Sequence, residues 1–159
     1  MLKSLHIDAG KCTGCRQCEM ACSYRQEGTF NPAKSRIKVF EFHAEGRFVP
    51  YTCTQCADAW CADACPVDAI SLDASTGAKV VSNELCVGCK VCTIACPFGT
   101  VNYAQSSGKV IKCDLCGGDP ACAAACPTDA ITYIDADATG YGRMRDWASK
   151  SDAGAQAEA

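Results

Sequence analysis

With 16 cysteines in 159 residues, about one position in ten is a thiol, while Leu, Ile, Val and Phe together supply only 26 side chains. That ratio excludes an ordinary hydrocarbon-cored domain, and a formal charge of only −3 excludes the highly charged, disordered class. A core this thin needs disulfides or metal to hold it, and the cysteines are the available agent.

In chain order, residues 1–8 carry no apolar h-region, small-residue cleavage site or twin arginine, and Lys3 to Asp8 reads as a first strand. Group one follows: Cys12, Cys15, Cys18 and Cys22, spaced C-x2-C-x2-C-x3-C. Two β-prone runs come next, Arg36 to Phe42 and Arg47 to Tyr51. Group two, Cys53, Cys56, Cys61 and Cys65, widens the middle gap to four residues. After it, two short β-prone runs flank the turn Ala74 to Ala78, the second opening at Lys79, and together they form a hairpin. Group three, Cys86, Cys89, Cys92 and Cys96, repeats the spacing of group one. Thr100 to Tyr103 and Lys109 to Lys112 are further strands, and group four is Cys113, Cys116, Cys122 and Cys126, with a middle gap of five. Ala130 to Ile134 is the last strand; Tyr141, Arg143, Arg145 and Trp147 form a docking patch of hot-spot residue types, and the tail from Ser149 is expected to be mobile. No apolar run approaches the length of a membrane span, so the expected location is the reducing cytoplasm, where thiols serve metals rather than disulfides.

The C-x2-C-x2-C-x3-C run is that of bacterial ferredoxins, in which three cysteines hold one cubane and the fourth ligates another. Three close thiolates on a tight loop cap three irons of one cube; a cysteine four residues on, where a short helix starts, points elsewhere. Groups two, three and four also end in Cys-Pro, at Pro66, Pro97 and Pro127. Sixteen thiolates at four per cube give four 4Fe-4S clusters. Structural zinc normally uses two separated pairs, and neither His6 nor His43 stands at a finger spacing, so both histidines read as ordinary surface or strand residues.

A two-cluster ferredoxin carries a hairpin between its motifs, so groups two and three make one unit and groups one and four pair across it. The expected fold class is α+β: two fused, nested 2x[4Fe-4S] ferredoxin-like units of short β-hairpins and short helices. The outer unit is discontinuous, residues 1–42 plus 108–135. The inner unit, residues 43–107, is inserted in the middle of its hairpin, with Arg47 to Tyr51 and Thr100 to Tyr103 as outer strands; residues 136–159 are a C-terminal extension and tail. Crossing the fourth cysteine within each unit gives four ligand sets. Cys53, Cys56 and Cys61 take Cys96; Cys86, Cys89 and Cys92 take Cys65. Cys12, Cys15 and Cys18 take Cys126; Cys113, Cys116 and Cys122 take Cys22.

Four oxidised cubes at roughly −2 each, counting their thiolates, move the net charge from −3 to about −11. Lys11, Arg16, Lys90, Lys109 and Lys112 adjoin ligands and are candidates to raise local potentials or steer an acidic partner, against the plainer reading of solvated surface charge. Gly14 and Gly88 occupy the same place in groups one and three, where the backbone is expected to approach sulfide closely. Trp60, in the widened gap of group two, is expected to shield its cluster from water.

Four such groups resemble the four-cluster electron-transfer subunits that accompany molybdenum and tungsten oxidoreductases, such as the dimethyl sulfoxide reductase and formate dehydrogenase families. The resemblance runs from residue 3 to about residue 135. The stretch from Cys12 through Cys22, followed by Glu27 to Val39, looks most like the iron-sulfur subunit of tungsten aldehyde oxidoreductase complexes, and the corresponding subunit of class II benzoyl-CoA reductases is also similar. The resemblance implies a molybdenum- or tungsten-pterin catalytic partner at one end and a flavin subunit or ferredoxin at the other. The chain has no C-terminal transmembrane helix, and a soluble complex is expected. No G-x-G-x-x-G, Walker loop or H-E-x-x-H is present and no cysteine is left to act as nucleophile, so the chain is expected to be non-catalytic. Neither nucleic acid nor a bilayer is an expected partner. Other soluble complexes (benzoyl-CoA reductase, formate dehydrogenase, hydrogenase, carbon monoxide dehydrogenase) are alternatives, as is a cluster-based redox sensor, although four cubes leave no room for an output module. A wire with two accessible ends could also stack head-to-tail on itself into filaments; a single mass at all concentrations by light scattering would remove that idea.

Overall fold

The two ends of the described chain are tied together by an antiparallel ladder between β1 (Lys3–Ile7) and β8 (Ile131–Asp135), in the register Lys3 to Asp135, Leu5 to Tyr133 and Ile7 to Ile131. The computed structural model describes residues 2–135 together with Gly140, Met144 and Ala148. Tyr141, Arg143, Arg145, Trp147 and the tail from Ser149 lie outside the described residues. Between β1 and β8 the order is α1 (Gln17–Glu27), β2 (Lys38–Phe42), β3 (Arg47–Tyr51), α2 (Trp60–Asp63), β4 (Ile70–Leu72), β5 (Lys79–Val81), α3 (Val91–Ala95), β6 (Asn102–Ala104), β7 (Lys109–Ile111) and α4 (Ala121–Ala124). The result is an α+β arrangement of short helices and small antiparallel sheets.

Each strand lies within two residues of its sequence expectation, and the hairpin β4–β5 pairs Ile70 with Val81 and Leu72 with Lys79. The partners of the other inner strands differ from expectation. Arg47 to Tyr51 and Thr100 to Tyr103 were assigned as outer strands of one inner unit, yet β3 pairs with β2 and β6 with β7. Short connections decide this. Residues 43–46 join β2 to β3 and residues 105–108 join β6 to β7, each ending in a left-handed glycine, Gly46 or Gly108. A strand's backbone groups need partners, and the nearest strand along the chain supplies them at low loop-closure cost. The two ladders therefore cross residues 42/43 and 107/108 and stitch the expected units together.

Hydrocarbon is sparse inside. Among the described residues there are three buried apolar clusters, and each contains cysteine. Ile37, Val39 and Ile131 pack with Cys18, Cys22 and Cys122; Ile70, Val101 and Val110 pack with Cys86 and Cys92; Ala78 and Leu115 pack with Cys113. The longest helix, α1, is fixed at its C-terminus by Gly28 in the left-handed region, whose N–H donates to the Tyr24 carbonyl at 2.8 Å. Tyr24 and Phe30 then stack at 4.6 Å and fold the following segment back. None of the helices is long and apolar enough to cross a membrane among the described residues.

Candidate metal centres

Each cysteine group is built the same way: a loop carrying the first two cysteines runs into a short helix that carries the third. Cys18, Cys61, Cys92 and Cys122 lie on α1, α2, α3 and α4, and the fourth cysteine follows four residues later, still on the helix at Cys22 but past the helix end at Cys65, Cys96 and Cys126. Left-handed residues turn the loops: Arg16 and Lys90 follow Cys15 and Cys89, Gln55 precedes Cys56, and Leu115 precedes Cys116, which is itself left-handed. Asp68, Gly99 and Asp129, two residues past each Cys-Pro, do the same, and Asp tolerates that region through its short polar side chain.

All sixteen thiols are free. Cys53, Cys56, Cys61 and Cys96 line one cavity of about 340 Å³. Cys22, Cys113, Cys116 and Cys122 line a second, tighter one. Cys65 packs into the cluster of Cys86 and Cys92 and acts electrostatically on Cys92 together with Cys89. Cys126 packs, with Cys12, against the cluster that holds Cys18, and Cys12 and Cys15 act on the Cys18 thiol. Thiols of different sets also adjoin: Cys61 acts on Cys92, Cys18 on Cys122 and Cys53 on Cys113. Only Cys15 and Cys89, the second cysteines of groups one and three, are exposed.

Every fourth cysteine receives a hydrogen-bonding group. The backbone N–H of Arg36 donates to Cys22 Sγ and that of Ala69 to Cys65 Sγ, both at 3.3 Å. The Thr100 hydroxyl lies 3.5 Å from Cys96 Sγ and the Thr128 hydroxyl 3.8 Å from Cys126 Sγ. Burial works to raise the Cys96 and Cys126 thiols, but hydrogen bonds from these threonines and neighbouring amides outweigh it, and both sit below the usual thiol range. Burial wins elsewhere: it pushes Cys18 up to about 12 and Cys113 up to about 11, and it raises Cys122 and Cys116 with reinforcement from adjacent thiols. Sequence reading missed these threonines; a Thr one or three residues after Cys-Pro is the signal that would have found them.

The basic residues separate clearly. Lys11 lies 3.8 Å from Asp8, Arg16 pairs with Glu41 at 2.6 Å, and Lys90 sits 4.0 Å over the Tyr103 ring. Lys109 donates to the Cys86 carbonyl, and Lys112 is buried against the first cavity. Trp60 lines that cavity while remaining 58% exposed, so it covers the site on one side only. His6 is a β1 residue and His43 is an exposed neighbour of Glu41. Gly14 and Gly88 are both left-handed, and what crowds them is protein: a Cβ would stand 2.6 Å from the Phe48 ring at Gly14 and 2.2 Å from the Gly108 carbonyl oxygen at Gly88.

The donor set fits iron-sulfur chemistry. Soft thiolates, six buried and eight half-buried, and partly hydrogen-bonded at sulfur, suit a cluster, and the 340 Å³ cavity of Cys53, Cys56, Cys61 and Cys96 is far larger than a lone zinc needs with Zn–S bonds of about 2.3 Å. The model of a 4Fe-4S dicluster domain matches residues 44–136, more than half of the chain, and that of a 4Fe-4S binding domain matches residues 5–26. The chain belongs to the 4Fe-4S dicluster family. It is a ferredoxin-like protein that holds multiple 4Fe-4S clusters, and its sixteen cysteines match four. Among curated relatives, the polyferredoxin-like subunit of an aliphatic sulfonate oxidoreductase from Pyrococcus furiosus is 48% identical over 91 residues, 57% of this chain and 52% of that one. Formate hydrogenlyase subunit 2 of Escherichia coli is 36% identical over 101 residues, 62% of this chain and 47% of that one. Electron transport protein HydN of Escherichia coli is 36% identical over 106 residues, 64% of this chain and 59% of that one. The chain thus spans about half the length of the curated relatives it matches.

Proposed function

We propose that this chain is a non-catalytic electron-transfer subunit of an oxidoreductase complex, carrying electrons one at a time through four 4Fe-4S clusters. The ligand sets are those of the crossed scheme, in an outer unit of residues 1–42 and 108–135 and an inner unit of residues 43–107. The observation that carries the reading is the exposure of Cys15 and Cys89 alone among the sixteen thiols. With Cys15 in the set of Cys12, Cys18 and Cys126, and Cys89 in the set of Cys65, Cys86 and Cys92, each unit has one cluster whose ligand reaches the surface. The adjacency of Cys53 and Cys113 supports a crossing between the units. The sequence of clusters is then surface, interior, interior, surface: a wire with two ends.

The catalytic partner is a tungsten-pterin aldehyde-oxidising subunit, and the second partner is a flavin subunit or ferredoxin, in the cytoplasm. The resemblance of Cys12 to Val39 supports this choice, and the 48% identity to a subunit of an aliphatic sulfonate oxidoreductase supports a catalytic oxidoreductase partner. A second reading places the chain in a formate- or hydrogen-linked complex, favoured by the 36% identity to formate hydrogenlyase subunit 2. Aldehyde-dependent reduction of the clusters in the natively purified complex supports the first; reduction by formate or hydrogen but not by aldehyde supports the second.

Reductive titration tests the subunit role. Anaerobically purified chain should accept about four electrons from a low-potential titrant, one for each cluster. It should stay oxidised when mixed with aldehyde alone. Bleaching of the clusters by aldehyde, in the absence of any other protein, would place catalysis within this chain and contradict the proposal.

A further inference from the structure

Two charged side chains are buried among the described residues, and they have opposite signs: Glu19 at 5% exposure and Lys112 at 3%. Each adjoins a different thiol set. Lys112 lines the cavity of Cys53, Cys56, Cys61 and Cys96. Its ammonium donates to three neutral acceptors: the Gln55 side-chain oxygen at 3.3 Å, the Cys113 carbonyl at 3.0 Å and the Lys79 carbonyl. No carboxylate among the described residues pairs with it. Glu19 neighbours Cys18 on α1, and its Oε1 accepts the backbone N–H of Val39 at 2.8 Å, inside the cluster where Val39 packs with Cys18. No cation among the described residues pairs with Glu19.

An ammonium taken out of water without a counter-anion is costly, and neutral carbonyls satisfy its protons without neutralising its charge. The missing anion is the cluster. A thiolate-ligated cube carries about −2 when oxidised and −3 when reduced, so a fixed cation against the cavity stabilises the reduced form more than the oxidised one. A buried carboxylate does the reverse.

We propose that Lys112 and Glu19 set two clusters apart in potential, Lys112 raising that of the Cys53, Cys56, Cys61 and Cys96 cluster and Glu19 lowering that of the Cys12, Cys15, Cys18 and Cys126 cluster. Both act as positioning charges rather than ligands. This rests on the ligand sets given above and adds a direction to the wire: an electron arriving at the Cys15 end runs downhill into the inner unit. The Gln55 side chain completes the junction. It donates to the Cys113 carbonyl at 2.8 Å and accepts from the Lys79 N–H at 3.0 Å, which holds Lys112 at the crossing between units.

The test is a potentiometric titration, followed by electron paramagnetic resonance, of the anaerobically purified full chain and its Lys112→Gln, Lys112→Arg, Glu19→Gln and Glu19→Gln/Lys112→Gln variants. Lys112→Gln should disfavour reduction of one cluster about tenfold, equivalent to about 59 mV for a one-electron couple. Glu19→Gln should favour reduction of a different cluster by a comparable factor, and the double variant should show both shifts side by side. Lys112→Arg, which keeps the charge, should stay near wild type. Unchanged midpoints at full iron content, shifts of the same sign, or an Arg variant displaced as far as the Gln variant would overturn the proposal. Should Lys112→Gln lose iron, Glu19→Gln and Lys112→Arg decide by the same criteria. Failure of the four-cluster reading would look different: wild-type protein would hold well short of about sixteen irons.

Discussion

Cys126→Ser should damage the cluster of Cys12, Cys15 and Cys18 before any other, although Cys126 lies more than a hundred residues away from them in sequence. The reason is spatial. β1 and β8 bring Cys126 back, with Cys12, against the core cluster that holds Cys18, Cys22 and Cys122, and the proposed crossing gives Cys22 to Cys113, Cys116 and Cys122, with which it lines a cavity. Serine is a harder, less acidic ligand than a thiolate, so the cube it faces is weakened or loses iron. The iron content should fall by between one and four atoms from about sixteen. Double variants locate the loss. Cys15→Ser with Cys126→Ser should cost no more clusters than either change alone, because both strike one cube; Cys116→Ser with Cys126→Ser should cost two. Loss of the Cys113, Cys116 and Cys122 cluster from Cys126→Ser, with the Cys12 cluster intact, would refute the crossed scheme.

Gly88→Ala should be the most damaging change outside the thiols. Gly88 has φ +70°, and a Cβ there would stand 2.2 Å from the backbone oxygen of Gly108, in the turn between β6 and β7. Backbone cannot swing aside as a side chain does. The left-handed penalty of about 1–2 kcal/mol adds to an overpacking cost of about 1–3 kcal/mol, so about 2–5 kcal/mol is lost. Gly46→Ala separates the two effects, since φ is +58° but nothing lies within 4 Å of its would-be Cβ. It should cost only the conformational part, about 1–2 kcal/mol. Gly14→Ala should fall between them, because its obstacle is the Phe48 ring, which can rotate. Anaerobic thermal melting, read from cluster absorbance, should rank Gly88→Ala lowest, then Gly14→Ala, then Gly46→Ala. Equal melting of Gly88→Ala and Gly46→Ala would show that the Gly108 contact is unimportant.

Cysteine spacing made the metal chemistry legible because the chemistry is local: three thiols within seven to ten residues must face one object. The strands were legible for the same reason, each being a short run of β-prone residues. Pairing was less so. The turn in residues 74–78 declares its own hairpin, but whether β3 joins β2 or β6 depends on which neighbour is closest once the chain has folded. Lys112 reads in the sequence as one of five ligand-adjacent cations, with Lys11, Arg16, Lys90 and Lys109, and its burial against the Cys53 cavity is what separates it from the others. Glu19 likewise reads as a helix-surface residue until the Val39 amide is found on its carboxylate. For both glycines the sequence pointed to the right positions with an incomplete reason: space for sulfide was expected, and Phe48 and Gly108 are what crowd them.

Elemental analysis of anaerobically purified protein tests the central claim most directly. Four cubanes held by sixteen thiolates require about sixteen iron and about sixteen acid-labile sulfide per chain, with zinc near zero. A folded, colourless chain free of iron, or one carrying about four zinc ions and no sulfide, would contradict it.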